Sequence, residues 1–279
     1  MALAGIYKAP ASFSFKSALT NYIRMAGMFV NPPSFVIICA MHFLVFQHIA
    51  IEHPGIFRDL MTERGITWDA VELDEGEPIP NLDRYDALLV MGGPMDVFEE
   101  DIHPWLVPEK AAIREAVRER NMPYFGFCLG HQLLADALGG TCERMPTAEV
   151  GILDVDLNDQ GKVDPLMVGL PISFKALQWH GVAVTRLPQG GVTLASSPVC
   201  DIQAQRVGDH AWGIQYHVEM TDQTVREWGA VPAYGDALDA IMGEGALERF
   251  DAECQANMAD FNASSRSLFQ NFLSASSLL

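Results

Sequence analysis

Residues 126–130 (GFCLG) place a cysteine between two glycines, where an apolar run gives way to a helical pattern. Residues 122–125 predict a short buried strand, and residues 132–138, closed by two glycines, predict a helix. So sharp a turn from strand to helix exposes the residue at its apex and crowds neighbouring Cβ atoms, which favours flanking glycines. Because amide groups at a helix start stabilise a thiolate, Cys128 is predicted to be a nucleophile rather than a small buried core residue.

A thiolate nucleophile needs a base, and residues 211–219 (AWGIQYHVE) offer one. In an extended strand, residues two apart face the same side, so His217 and Glu219 can point together. Glu219 can then accept from one imidazole nitrogen while the other nitrogen faces the sulfur. An isolated H-x-E pair is more often a strand-end histidine beside a solvated glutamate, and the upstream Cys128 favours the catalytic interpretation.

A third segment, residues 88–95 (LLVMGGPM), is an apolar strand that runs into Gly92-Gly93-Pro94. A glycine after a strand leaves a backbone N–H group free of side-chain cover, as stabilisation of an oxyanion requires. Alone, the same pattern is an ordinary strand-terminating turn. Its position upstream of the cysteine turn favours a functional loop.

Together these segments resemble the class I glutamine amidotransferases, whose cysteine turn reads G-x-C-x-G-[HMA]-Q and whose downstream element reads H-P-E. The chain has GFCLGHQ and YHVE at these places, and the similarity runs from about residue 41 to about 228. The resemblance implies that Cys128 is the nucleophile, His217 the general base and acid, and Glu219 the orienting carboxylate. Val218 replaces the family's proline, which is expected to loosen the local backbone without removing a catalytic group.

The resemblance also places the glycine loop beside the cysteine turn. The backbone N–H groups of Gly93 and Leu129 are therefore the expected pair of oxyanion donors. Neither a metal nor an organic cofactor is expected, because the implied chemistry uses side chains and water alone.

The expected substrate contacts are Gly92, Gln132, Trp179 and His180. Gln132 corresponds to the family glutamine that contacts the glutaminyl part of the substrate. Residues 174–181 resemble the family segment that lies across the pocket, which makes Trp179 and His180 candidates. Core packing of Trp179 and a structural role for His180 are equally open alternatives.

The remaining pattern predicts an α/β fold, a flavodoxin-like three-layer sandwich with a central, mostly parallel sheet. Strands and helices alternate up to residue 140, and short strands then predict an antiparallel excursion before the histidine strand returns. The expected strands lie at 42–47, 66–72, 86–91, 150–157, 173–178, 182–187, 192–196, 201–207 and 211–217, with helices at 55–64 and 107–119. Residues 231–275 predict two or three amphipathic helices that either pack on the same domain or cover the active-site mouth.

The expected domain organisation has three parts. Residues 1–40 form an extension of uncertain status, either dispensable or an upstream mis-start, because residues 41–48 could themselves start a complete domain. The apolar run at 35–46 is too short to span a bilayer. A secretory signal is the alternative, but no clean small-residue cleavage site follows this run. Residues 41–230 form the catalytic domain, and residues 231–279 form a C-terminal helical appendage.

The formal net charge is −18 and the isoelectric point is near 4.7, which argues against nucleic acid or an anionic membrane as a partner. The five cysteines are irregularly spaced and include no C-x-x-C pair, so neither a disulfide framework nor a zinc site is indicated. We expect a cytoplasmic location.

Three functions remain open at this stage. The first is a free-standing hydrolase of glutamine or of an N-substituted γ-glutamyl amide, favoured because no synthetase domain is present in the chain. The second is a glutaminase subunit that delivers ammonia to a separate synthase. The third is a catalytically silent binding or regulatory protein, for which loss of the Cys, His or Glu is the expected sign. Composition does not determine the oligomeric state.

Overall fold

The computed structural model describes residues 41–279, so the predicted 1–40 extension lies outside the described residues. Nine strands form one mixed sheet with helices on both faces. The strands are β1 (His42–Gln47), β2 (Thr67–Glu72), β3 (Ala87–Val90), β4 (Tyr124–Phe127), β5 (Thr141–Leu157), β6 (Ser173–Arg186), β7 (Gly191–Ser196), β8 (Ala204–Val207) and β9 (Ala211–Ile214). The helices are α1 (Phe57–Glu63), α2 (Leu106–Arg114), α3 (Leu129–Ala137), α4 (Thr224–Gly229), α5 (Pro232–Met242) and α6 (Leu247–Ala275).

The strand order is β2-β1-β3-β4-β9-β8-β7-β5-β6. The first five strands of that order pair in parallel, and the remaining pairs are antiparallel. Because parallel strands end at the same sheet edge, the loops after β1, β3, β4 and β9 come together there. This edge carries the predicted cysteine turn, the glycine loop and the histidine segment.

Successive side chains of β1 point to opposite faces of the sheet and contribute to two separate hydrophobic cores. Phe43 and Val45 face one hydrophobic cluster, and Leu44 and Phe46 face the other. Residues of α1 and α6 complete the first cluster, and residues of α2 and α3 complete the second. The predicted flavodoxin-like three-layer sandwich is confirmed.

The antiparallel excursion is present, but its strand bounds differ from the prediction. The strands expected at 201–207 and 211–217 are shorter, at Ala204–Val207 and Ala211–Ile214, and others are longer. The strand expected at 150–157 begins at Thr141, and the two expected at 173–178 and 182–187 are the single strand β6. Gly181 does not interrupt β6, because its backbone continues the extended conformation, with the β5 partner register shifting nearby. The sequence could not show that a glycine at this position stays within a strand.

The C-terminal residues form α5 and the long α6. Near its end α6 enters the first core with Leu268, Phe269 and Phe272, while its start joins a third cluster with α4, α5 and Trp179. The helices therefore pack on the sheet domain and also reach the sheet edge that carries the cysteine turn. No helix between residues 41 and 279 is both long and apolar enough to cross a membrane.

Candidate active site

Cys128 lies in a strained turn between β4 and α3. Its φ of 49° and ψ of −102° are unusual for a residue with a side chain, and such conformations cost on the order of 1–3 kcal/mol. The Cys128 N–H donates to the Ile214 carbonyl at 2.8 Å, which fastens the turn to β9. Strain held by its surroundings in this way is typical of a functional position.

The glycines on either side of Cys128 are required by close backbone approach. A Cβ on Gly126 would lie 2.5 Å from the Gly130 carbonyl, and one on Gly130 would lie 2.1 Å from the Val90 carbonyl oxygen. The expected crowding at the turn is therefore present on both sides.

We expect Gly130→Ala to lower the free energy of unfolding by about 3 kcal/mol or more, since the added methyl group meets backbone that cannot swing away. Urea unfolding measures the loss. Gly181→Ala is the matched control, because its added methyl would meet its nearest neighbour at 3.8 Å. Equal stability of the two variants would contradict the packing described for the turn.

The expectation that the turn exposes Cys128 is wrong. Only 6% of the residue is exposed, because neighbouring side chains cover the turn. Among them is Gln215, whose Nε2 lies 3.5 Å from Sγ. Gln215 was not predicted, although it lies two residues before His217 and the alternation expected for residues 211–217 places both side chains on the same side.

His217 and Glu219 form a buried pair, with Nδ1 2.7 Å from Oε1. The main chain of His217 is fixed by reciprocal hydrogen bonds with Leu177 of β6, at 2.8 and 3.2 Å. Burial alone would lower the pKa of His217, but the charge of Glu219 and a hydrogen bond with Cys128 outweigh burial and raise that pKa well above its usual value. The imidazole thus faces the carboxylate on one side and the sulfur on the other.

Val218 does not loosen this segment, contrary to the expectation from the missing proline. Its N–H donates to Glu219 Oε2 at 3.0 Å, a bond that proline could not make because it has no N–H. Its carbonyl accepts from the Ser265 hydroxyl of α6 at 2.6 Å. The valine therefore holds the second carboxylate oxygen of Glu219 in place.

The glycine loop after β3 lies against the cysteine turn. A Cβ on Gly93 would be 3.0 Å from Leu129 Cδ2, and the Gly130 N–H donates to the Met91 carbonyl at 3.1 Å. Over residues 41–279, neither the Gly93 N–H nor the Leu129 N–H donates to a protein acceptor. Neither predicted oxyanion donor is therefore engaged by the described part of the protein.

A cavity of about 150 Å³ lies next to the glycine loop and α3. Gly93 and Gln132 border it, and its walls come mainly from β5, β6 and α5. The Nε2 of Gln132 is already engaged, donating to the Val182 carbonyl at 3.0 Å and to Gln215 Oε1 at 3.1 Å. Gln132 therefore links the cavity to the side chain that touches the sulfur.

Trp179 and His180 also border the cavity, but their polar atoms bind protein. Trp179 Nε1 donates to the Tyr234 carbonyl at 3.2 Å, and its ring packs among aromatic side chains of α4, α5 and α6. His180 Nδ1 lies 3.0 Å from the Val182 carbonyl, and Nε2 lies 3.1 Å from Glu149. Both residues therefore shape the cavity wall, and their contact with substrate stays a prediction.

Glu149, His180 and Cys200 have ligand atoms close enough together to hold a metal ion. The Glu149 carboxylate, however, also accepts from the Ser197 hydroxyl at 2.6 Å and from Gln203 Nε2 at 2.7 Å. Burial raises the pKa of the Cys200 thiol to about 12, which disfavours the thiolate that metals bind. These contacts describe a satisfied hydrogen-bond network.

A second buried carboxyl group, that of Glu52, lies beside the His217–Glu219 pair and was not predicted. A Cβ on Gly92 would lie 2.6 Å from Glu52 Oε2 and 3.3 Å from His217 Cε1, so this glycine separates the two side chains. The Tyr234 hydroxyl of α5 donates to Glu52 Oε1. Burial raises the pKa of Glu52 to about 7, although the charge of His217 and the tyrosine hydrogen bond oppose that rise.

This pKa predicts a pH-dependent stability. The unfolded chain releases the Glu52 proton near pH 4.5, whereas the folded protein holds it to about pH 7. The folded state therefore binds the extra proton, and stability falls as pH rises between these values. Relative to Glu52→Gln, the wild type should lose about 2 kcal/mol of unfolding free energy from pH 5 to pH 7.

Urea unfolding of both proteins at the two pH values measures this difference. Glu75→Gln, at an exposed glutamate, is the matched control and should show a much smaller pH-dependent difference. A wild type and Glu52→Gln that differ equally at pH 5 and pH 7 would contradict the raised pKa.

The family model described as glutamine amidotransferase class-I matches residues 56–227, which is more than half of the chain. The chain belongs to this family. The matched segment contains the cysteine turn, the glycine loop and the His217–Glu219 pair, and it ends before α5.

Individual relatives match more than half of the chain. The glutamine amidotransferase-like protein YfeJ of Salmonella typhimurium is 32% identical over 66% of this chain and 77% of its own. Gamma-glutamyl peptidase 3 of Arabidopsis thaliana is 29% identical over 62% and 71%, and a glutamine-hydrolyzing GMP synthase subunit of Sulfolobus acidocaldarius is 33% identical over 54% and 77%. The crystal structure of a glutamine amidotransferase from Thermotoga maritima has a TM-score of 0.74 at 26% identity, covering 84% of this chain and 98% of that one.

Proposed function

We propose that the protein hydrolyses the γ-amide of glutamine or of an N-substituted γ-glutamyl amide through a thioester on Cys128. The products are glutamate and ammonia or an amine. The observation that carries this proposal is the buried His217–Glu219 pair facing the sulfur of Cys128 at the start of α3. The base and the orienting group are hydrogen-bonded to each other, and the nucleophile is near enough to raise the pKa of the imidazole, which supports covalent acyl transfer.

In the acylation step, the Cys128 thiolate attacks the γ-carbonyl carbon of the substrate. The oxygen takes the negative charge and accepts from the Gly93 and Leu129 N–H groups, which is why their lack of a protein acceptor matters. The protonated His217 gives its proton to the amide nitrogen, the C–N bond breaks, and ammonia or an amine leaves. The γ-glutamyl group remains on sulfur.

In the deacylation step, water attacks the thioester carbon while the now neutral His217 takes a proton from that water. The second oxyanion collapses, the C–S bond breaks, and the thiolate is expelled next to the protonated imidazole. Glutamate leaves, and the starting pair is restored. Throughout, Glu219 holds the ring through Nδ1 and is itself held by the Val218 N–H.

The nature of the cavity wall supports a substituted amide as substrate. Apolar side chains line it on β5, β6 and α5, and they include Val150, Trp179 and Ala237. Such a wall can bury an apolar substituent on the leaving nitrogen. We propose that residues 41–230 form the catalytic domain and that residues 231–279, through α5, complete this wall.

A glutaminase subunit of a two-chain amidotransferase is the second candidate, favoured by the similarity to the GMP synthase subunit of Sulfolobus acidocaldarius. A protein of this kind delivers ammonia to a separate synthase. Its glutamate release would be low alone and high with the partner, whereas a free-standing hydrolase is fully active alone.

A substrate panel tests the proposal. Glutamate release by the purified protein is measured from glutamine and from N-alkyl and N-aryl γ-glutamyl amides, each with and without a candidate synthase. We expect turnover without a partner and a higher kcat/KM for at least one substituted amide than for glutamine. Release only from glutamine, and only with a synthase, would favour the second candidate, and no release under any condition would contradict both.

A further inference from the structure

His48 and Glu109 form a fully buried pair next to the glycine loop. His48 directly follows β1, at the sheet edge where the loop after β3 also begins. Its Nε2 lies 2.9 Å from Glu109 Oε1 of α2, and its Nδ1 lies 2.7 Å from the carbonyl oxygen of Gly92. The catalytic steps above assign no role to either side chain.

Both ring nitrogens of His48 face groups that can only accept hydrogen bonds. A carbonyl oxygen and an ionised carboxylate have no proton to donate, so beside an ionised Glu109 both nitrogens carry one. Burial alone would lower the pKa of His48, but the charge and hydrogen bond of Glu109 outweigh burial and raise it. The geometry and the raised pKa therefore both favour the charged form of His48, whose Nδ1–H donates to the Gly92 carbonyl.

Among the described residues, the His48 ring is the only hydrogen-bond partner of the Glu109 side chain. Its Oε1 accepts from His48, and its Oε2 has no hydrogen-bond partner between residues 41 and 279. The indole of Trp105 stacks on the imidazole, with centroids 5.5 Å apart and an angle of 24° between the planes. The ring orientation is therefore fixed by an ion pair and by a stacking contact.

The Gly92 carbonyl belongs to the same peptide unit as the Gly93 N–H. A trans peptide is planar, so its carbonyl and its N–H point in opposite directions. Holding the carbonyl toward His48 fixes the direction of the Gly93 N–H, which donates to no acceptor in the part of the chain that the structure describes. Because glycine flanks this peptide on both sides, little else restricts its rotation.

We propose that His48, held by Glu109, is a positioning residue that locks the Gly92–Gly93 peptide with its N–H directed at the oxyanion. This inference rests on the proposed function, which makes Gly93 an oxyanion donor. A cation on the carbonyl oxygen also polarises the peptide and strengthens its N–H as a donor. The His48–Glu109 pair thereby orients the oxyanion hole before charge develops on the substrate oxygen, so the Gly92–Gly93 peptide need not reorient during the reaction.

His48→Ala and His48→Gln test the proposal, with γ-glutamyl-p-nitroanilide and glutamine as substrates. Since losing one oxyanion donor typically lowers kcat by about 10²–10³-fold, we expect His48→Ala to lower kcat by about 10²-fold and to change KM less than about threefold. His48→Gln should recover part of this loss, because its amide can donate to the Gly92 carbonyl. Glu109→Gln should fall between the wild type and His48→Ala.

Alkylation of Cys128 by iodoacetamide distinguishes a misplaced oxyanion donor from general disruption of the site around Cys128. The reaction needs a reactive sulfur but forms no oxyanion. Its rate should be unchanged in the His48 variants. His210→Gln is the matched control, since His210 also contacts a main-chain carbonyl, that of Val117, at 3.0 Å but at the opposite sheet edge. It should keep wild-type kcat.

Two results would overturn the proposal: wild-type kcat in His48→Ala, or alkylation that slows in parallel with kcat. If His48→Ala does not fold, His48→Gln and Glu109→Gln decide by the same two readouts. Failure of the proposed function is a separate result, since the wild type would then release no glutamate, or Cys128→Ala would release it equally well.

Discussion

Cys128→Ala is expected to lower glutamate release by at least about 10⁴-fold, since removal of a nucleophile from a coupled triad eliminates nearly all of its contribution. No other described cysteine can replace it, because Cys142, Cys200 and Cys254 are buried and burial raises the pKa of each thiol to about 12. The assay is single-substrate turnover of the purified variant.

The fold of Cys128→Ala should persist, because only one sulfur atom is lost and the main-chain bond to Ile214 remains. We expect a destabilisation of about 1 kcal/mol by urea unfolding, the scale of a small buried deletion. Cys254→Ala is the matched control for activity and should keep wild-type turnover. Turnover by Cys128→Ala that matches this control would contradict the assignment of the nucleophile.

His217→Gln is expected to lower kcat by about 10⁴-fold, because both proton transfers lose their carrier while the side-chain size is nearly kept. The amide of the glutamine can still reach Glu219, so the local fold should survive. Glu219→Gln should lose less, since the base remains and only its orientation and charge partner are weakened.

The pH profile separates these two roles. Glu219→Gln removes the charge that raises the pKa of His217, so its activity should decline at a lower pH than that of the wild type as the imidazolium is lost. His42→Gln, on the amino-terminal side of β1, is the control and should keep both kcat and profile. An unchanged profile in Glu219→Gln would contradict the coupling described here.

The sequence predicts those parts of the site that depend on neighbours along the chain. The cysteine turn follows from two glycines between a strand and a helix. The His217–Glu219 contact is present where the alternation predicted it, although the strand expected at 211–217 ends at Ile214 and Glu219 lies outside any strand. The family resemblance added the position of the glycine loop beside the cysteine turn. These features need no knowledge of distant contacts.

The unpredicted parts depend on residues brought together from distant segments. Glu52 and Tyr234 meet because α5 folds back over the loop after β1, and no local pattern encodes that contact. The burial of Cys128 was missed for the same reason, since its cover comes from other elements. At Val218 the missing proline suggested looseness, whereas the new N–H group makes a bond that only the three-dimensional structure reveals.

The most direct test of the account is to trap the γ-glutamyl group on sulfur. The enzyme is mixed with a γ-glutamyl substrate labelled in its glutamyl part, quenched in acid within one turnover, digested and sequenced by mass spectrometry. The account predicts the label on the peptide that contains Cys128, and its loss in Cys128→Ala. Turnover without a covalent label, or with the label on another residue, would contradict the account.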